Sequence, residues 1–203
     1  MFGRRSLLFG AGASLLLPGC TAAPAPRLQA TSRAAQLLAA ARSQIGVTTQ
    51  YDGGYTVLPF PNGDVPRVKG ACTDVIVRAY RDAFSLDLQA LVHADMEADF
   101  AAYPRSWGLD RPDPNIDHRR VPNLATWLRR KGAGLPIPRD AAGWRPGDIF
   151  TSLVGNRGTH IGFVSDRAGA NGPLIIHNIG RGAQEEDGLI ASPLTGRYRW
   201  SID

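Results

Sequence analysis

Apolar residues fall into two successive rhythms along the chain. In the first half they recur every three or four positions, as on one face of a helix. Ala35, Leu37, Leu38, Ala41 and Ile45 predict a helix over 32–46, with Ser32 as its cap and Gly46 as its stop. Val75, Ile76, Ala79 and Tyr80 predict a second helix over 72–84, and a third fits 88–102. A short fourth helix starts near Pro122, a good first-turn residue, and ends at Gly132. Between the first two helices, Gly53, Gly54, Pro59, Pro61, Gly63 and Pro66 predict a long irregular stretch, and 103–121 is irregular too. The period then changes to two. Segments 148–154, 159–165, 174–179 and 197–202 predict strands, the first two joined by a turn at 155–158. Helices first and an antiparallel meander afterwards predict an α+β class, the helices packed on the sheet. No internal repeat and no second linker interrupts 32–203, which reads as a single domain.

The first twenty residues follow neither rhythm. Arg4 and Arg5 precede an apolar run over 6–18, closed by Gly19 and Cys20. The run is shorter than the roughly 20 apolar residues that a membrane-spanning helix needs. It reads as a bacterial export signal, by the twin-arginine or the Sec route. Leu17-Pro18-Gly19-Cys20 resembles a lipobox, in which Cys20 is acylated and anchors the protein to a membrane. Thr21 after it points to the outer membrane, by the habit of lipoproteins. Residues 21–31 form a Pro/Ala linker that reaches at most about 40 Å. Location in the periplasm follows.

Composition narrows the picture further. Of 203 residues, 43% are hydrophobic and 20% charged, an ordinary globular mixture that excludes a mostly disordered or collagen-like chain and a multipass membrane protein. A chain this long buries roughly 70% of its unfolded surface and needs no disulfides. The net charge of +5 falls to +3 once Arg4 and Arg5 leave with the leader. So small an excess does not call for nucleic acid as a partner. A monomer is expected.

The mature domain then holds one cysteine, Cys72, without a disulfide partner. It is either a buried apolar thiol or a reactive one. Its predicted place in the first turn of a helix favours a thiolate through the free N–H groups and the macrodipole. Gly70 before it allows close approach of a substrate backbone. His160 begins one predicted strand and His177 lies near the end of the next, at mirrored positions about the polar turn 166–171. As cross-strand neighbours their Cβ atoms would be about 4.5–5.5 Å apart. His160 would then take the Cys72 proton and His177 would hold the tautomer of His160. One structural and one exposed histidine is the alternative.

The run Trp144-Arg145-Pro146-Gly147-Asp148-Ile149-Phe150, followed by Thr159-His160-Ile161-Gly162-Phe163-Val164, resembles the core of the NlpC-type and CHAP-type papain-like cysteine peptidases. Over about 40–200 the chain resembles more closely a bacterial family of unknown function assigned to that superfamily. Cys72-Thr73-Asp74-Val75, residues 112–123 and Ile176-His177-Asn178-Ile179-Gly180 are among the segments that carry this. The resemblance implies Cys72 as nucleophile, His160 as general base, His177 as the polar residue orienting it, and a papain-like NlpC-type fold. It implies an amide-bond hydrolase, an endopeptidase or amidase acting through a thioester on peptidoglycan stem peptides or another peptide substrate. Cys72 is followed by Thr-Asp where that superfamily has Ser-Gly, and its upstream tyrosine is Tyr51 or Tyr55 here.

Around this core stand further candidates. The Cys72 N–H and Tyr51 could stabilise an oxyanion. Asp74 is a cap or a substrate contact. Residues 115–120, with His118, Arg119 and Arg120, line a groove for acidic peptides or form a structural knot. Serine-hydrolase, phosphate-loop and zinc-peptidase motifs are absent, and neither cofactor nor metal is called for. Two rival functions remain: acyl or amide transfer on the same fold, and a silent lipoprotein that binds the wall or a protein.

Overall fold

Residues 31–155, 158–189 and 191–200 are described in the computed structural model. The expected export signal, Cys20 and most of the linker lie outside the described residues, as do part of the 155–158 turn and the end of the last expected strand. Among the described residues no helix is long and apolar enough to cross a membrane.

Helix α1 runs Ser32–Arg42. Its cap is Thr31 rather than Ser32: the Thr31 hydroxyl accepts the Ala34 N–H at 3.2 Å. It ends before Gly46 because Gln44 turns inward and donates to the Val75 carbonyl at 3.0 Å. Gly46 then takes a left-handed φ of 79° in the following turn. A parallel pair of two-residue strands follows, β1 Gln50–Tyr51 and β2 Lys69–Gly70. These strands are too short to show an alternating pattern.

Helix α2 occupies Cys72–Phe84, the span its periodicity predicts. All residues from Cys72 to Tyr80 are buried, so this helix is surrounded rather than laid on a surface. Ser85 in the left-handed region terminates it. Helix α3, Leu88–Ala98, is capped by Asp87 and stops short of 102; residues Phe100–Ala102 form a 3-10 turn instead. Helix α4 is Val121–Arg130, with Pro122 in its first turn.

The strands that follow are β3 Gly134–Leu135, β4 Ile149–Val154, β5 Gly158–Ala168, β6 Pro173–Asn178, β7 Ala183–Glu186 and β8 Leu194–Tyr198. They form a six-stranded sheet in the order β3-β8-β4-β5-β6-β7, antiparallel throughout. The class is α+β. The meander covers β4 to β7, and β8 returns to the other side of β4.

Alternation along the strands gives the sheet two buried faces. Ile149, Ile161, Phe163 and Ile176 pack against Leu38, Val75, Ile76, Tyr80, Leu124 and Trp127 of the helices. Burying each such large side chain stabilises by about 1.5–3 kcal/mol. Phe150, Val164 and Ile175 form a smaller cluster with Trp144 and Leu189. This sandwiching brings the start of α2 against β5, and with it Cys72.

Candidate active site

Cys72 opens α2 and is 4% exposed. Asp74, one turn on, accepts the Ala71 N–H at 2.6 Å, the reciprocal half of a capping box. The backbone N–H groups of Ile161, Thr73 and Cys72 itself face the sulfur and favour a thiolate, but burial outweighs them and pushes the thiol up to about 11. Desolvation thus opposes the thiolate that the helix start favours. The contact with Ile161 sets Cys72 beside the residue that follows His160 on β5.

His160 and His177 meet. Their rings lie 5.0 Å apart at 69°, and His160 Nε2 is 2.8 Å from His177 Nδ1. They are not directly opposite, as the mirrored positions suggested. Phe163 pairs with Ile176, and the register shifts between Val164 and Ala168. That register sets Gly162 across from His177 and makes His160 a diagonal neighbour. A shift of two residues preserves the face, which is why the contact survives. Gly162 makes room for it: a Cβ there would lie 2.9 Å from the His177 Cβ and 2.7 Å from the Phe150 ring. Burial, then His177, pushes His160 down to about 3; burial also lowers His177, against the pull of Glu186. Both rings are neutral. Among the described residues, no hydrogen bond joins the Cys72 sulfur to either ring, and His160 Nδ1 has no partner.

One member of the cluster escaped sequence reasoning. Glu186 Oε1 lies 2.9 Å from His177 Nε2, and its other oxygen accepts from Arg181 at 2.8 Å. Gln184 pairs with His177 across β6 and β7, so Glu186, two residues on, reaches it from the same face. No signal short of the β7 register identifies it, because Glu185 and Glu186 are indistinguishable by composition. Glu185 instead holds Arg42 and Arg167.

The remaining candidates divide. The Tyr51 hydroxyl lies beside the Cys72 thiol; burial and then the thiol push it up to about 12, so it stays a donor. Tyr55 accepts from Asn115 Nδ2 at 3.2 Å, which leaves Tyr51 as the tyrosine at the thiol. Arg119 is buried with Asp74, donating to its two oxygens at 3.0 and 2.9 Å and to the carbonyls of Gly54 and Asp52 at 2.8 and 2.7 Å. That arrangement turns it inward and has it hold the loop that follows Tyr51. Arg120 binds Asp117 at 3.0 Å and covers the Trp107 ring. His118 is buried, with burial pushing it down to about 4 and no partner for its Nδ1 among the described residues. Residues 115–120 are thus the structural knot rather than an open groove wall.

Gly70 has a different use from the one expected. A Cβ there would lie 2.9 Å from Arg78 Nη1 and 3.2 Å from Asp74, so Gly70 makes room for those side chains. Its carbonyl accepts from the buried Asn178 at 2.8 Å, which ties the end of β6 to the strand before Cys72. A cleft of about 1170 Å³ lies elsewhere, between the start of α1 and residues 141–147, and none of Cys72, His160 and His177 lines it. Among the described residues no group of three His, Cys, Asp or Glu could hold a metal ion.

Two comparisons bear on this arrangement. A family profile described as "Domain of unknown function (DUF1287)" matches residues 38–200. The curated "Uncharacterized protein YijF" of Escherichia coli (strain K12) is similar: 50% identical over 163 residues, 80% of this chain and 79% of its own. Every site residue from Tyr51 to Glu186 falls within the family match.

Proposed function

Since the chain belongs to the DUF1287 family, whose description names no activity, we propose one from the site itself: a cysteine hydrolase that cleaves an amide bond. The observation that carries this is the buried His160–His177 hydrogen bond on the strand whose next residue, Ile161, faces the Cys72 sulfur. A helix-borne cysteine ahead of an antiparallel sheet also supports a papain-like relationship to the NlpC-type and CHAP-type peptidases. The leader supports export to the periplasm and an anchor through Cys20. Peptidoglycan stem peptides are the amide substrate that this location offers.

A neutral thiol and a neutral imidazole call for proton transfer during attack rather than a standing ion pair. The Sγ–H proton passes to His160 Nδ1 as sulfur bonds to the carbonyl carbon and the carbonyl electrons move onto oxygen. In this reading the Cys72 N–H and the Tyr51 hydroxyl would receive that oxyanion. His160 then protonates the leaving nitrogen as the C–N bond breaks, leaving a thioester. Water attacks the thioester, gives its proton to Nδ1, and the proton returns to sulfur as the acid leaves.

Digestion of purified peptidoglycan by the full chain, with products identified by mass spectrometry, tests the proposal. New fragments that disappear with Cys72→Ala, His160→Ala and His177→Ala are expected. A folded wild-type protein that yields none overturns the wall substrate. The raised thiol also favours a second reading, a catalytically silent binding domain. Alkylation of Cys72 that follows a simple titration near pH 11, unaffected by His160→Ala, would select it.

A further inference from the structure

We propose that Glu186 is a positioning residue: through His177 it fixes the tautomer of His160 and leaves Nδ1 of His160 as the proton-accepting nitrogen. Only the use made of that nitrogen rests on the hydrolase reading. An ionised carboxylate accepts hydrogen bonds and cannot donate them. Glu186 Oε1, 2.9 Å from His177 Nε2, therefore requires a proton on that nitrogen. Neutral His177 then has a bare Nδ1. His160 Nε2, 2.8 Å from it, must supply the shared proton. Neutral His160 in turn carries no proton on Nδ1. One carboxylate thus determines the state of a nitrogen two rings away.

The surroundings keep Glu186 in this role. Arg181 binds its second oxygen at 2.8 Å and orients the carboxylate. Arg181 is the charged group beyond Glu186, His160 is the titratable group facing His177 from β5, and Gln184 is its uncharged partner across β7. At 71% exposure, Arg181 opens this end of the chain to solvent, while both histidines stay buried. When His160 accepts the thiol proton, the positive charge that develops is connected by hydrogen bonds to a carboxylate. Glu186 bonds to His177 and Arg181 and not to the thiol, so its effect is exerted through His177.

Nitrogen-15 NMR of the full chain labelled at histidine tests this, with His160→Ala and His177→Ala assigning the signals among four histidines. Wild-type protein at pH 7 is expected to show both rings protonated at Nε2 only. In Glu186→Gln the amide can donate or accept, so His177 is expected in both tautomers, with His160 following. Alkylation of Cys72 by iodoacetamide at pH 7 is expected to slow by about tenfold or more in Glu186→Gln and to recover partly in Glu186→Asp. A proton on Nδ1 of wild-type His160, or wild-type tautomers in Glu186→Gln, overturns the proposal. The NMR reading on wild type stands even if a variant fails to fold. It also needs no substrate, so inert peptidoglycan defeats the hydrolase reading and leaves this one intact.

Discussion

Asp74 and Arg119 meet as a buried charged pair; His160 and His177 are equally buried and neutral. Both sets face the same desolvation penalty. Burial opposes the charge of Arg119, yet Asp74 more than compensates and its pKa is raised. Two backbone carbonyls take two more of its donors, so the guanidinium is held from both the helix and the loop. The imidazoles respond differently because they can discharge. Their bonds run in a line from Glu186 to His160, and a proton can shift along that line. The comparison distinguishes scaffold from machinery: a satisfied ion pair holds a loop in place, and a neutral hydrogen-bonded row keeps a lone pair available.

The strongest way to break the contrast is to remove half of the ion pair. Arg119→Ala leaves Asp74 buried without its partner and should cost about 3–5 kcal/mol in urea unfolding. Asp74→Asn in the same chain should return part of that loss. A smaller effect is expected where the histidines meet. Gly162→Ala inserts a Cβ 2.7 Å from the Phe150 ring and should cost about 1–3 kcal/mol. It should also displace His177 and lower Cys72 reactivity, which alkylation reads.

Acid sharpens the comparison. His160 and His118 are pushed down to about 3 and about 4, whereas unfolded imidazoles bind protons near pH 6.5. Between those values the unfolded chain holds more protons, so stability falls as pH drops from about 6.5 toward 4. Unfolding midpoints at pH 7, 6 and 5 should show this slope, and His118→Gln should flatten it. The smallest effect belongs to an ion pair in water. Arg67→Ala breaks the exposed bond to Asp82 and should change stability by less than about 1 kcal/mol in the same assay.

Much of the fold was legible because helical and strand periods are local properties of the chain. Residues 72–84 read as a helix and formed one with the same ends, since the apolar spacing and the surrounding core agree. Where local and tertiary demands diverged, boundaries moved. Gln44 reached for Val75 and α1 ended at Arg42, while the third helix gave way to a 3-10 turn after Ala98. β1, β2 and β3, of two residues each, carry no readable period, and their existence depends on a partner strand.

The amino-acid sequence alone determined the α+β class, the place of Cys72 at a helix start, and two histidines on adjacent strands. Each of these follows from neighbours within a few residues. Tertiary structure alone decided that a register shift makes His160 and His177 diagonal, that Tyr51 rather than Tyr55 reaches the thiol, and that Glu186 rather than Glu185 binds His177. It also turned Arg119 inward onto Asp74, a residue 45 positions away. The physical reason is common to all four. A side chain's partner depends on distances in space, and strand register and helix packing set those distances only once the whole core has closed.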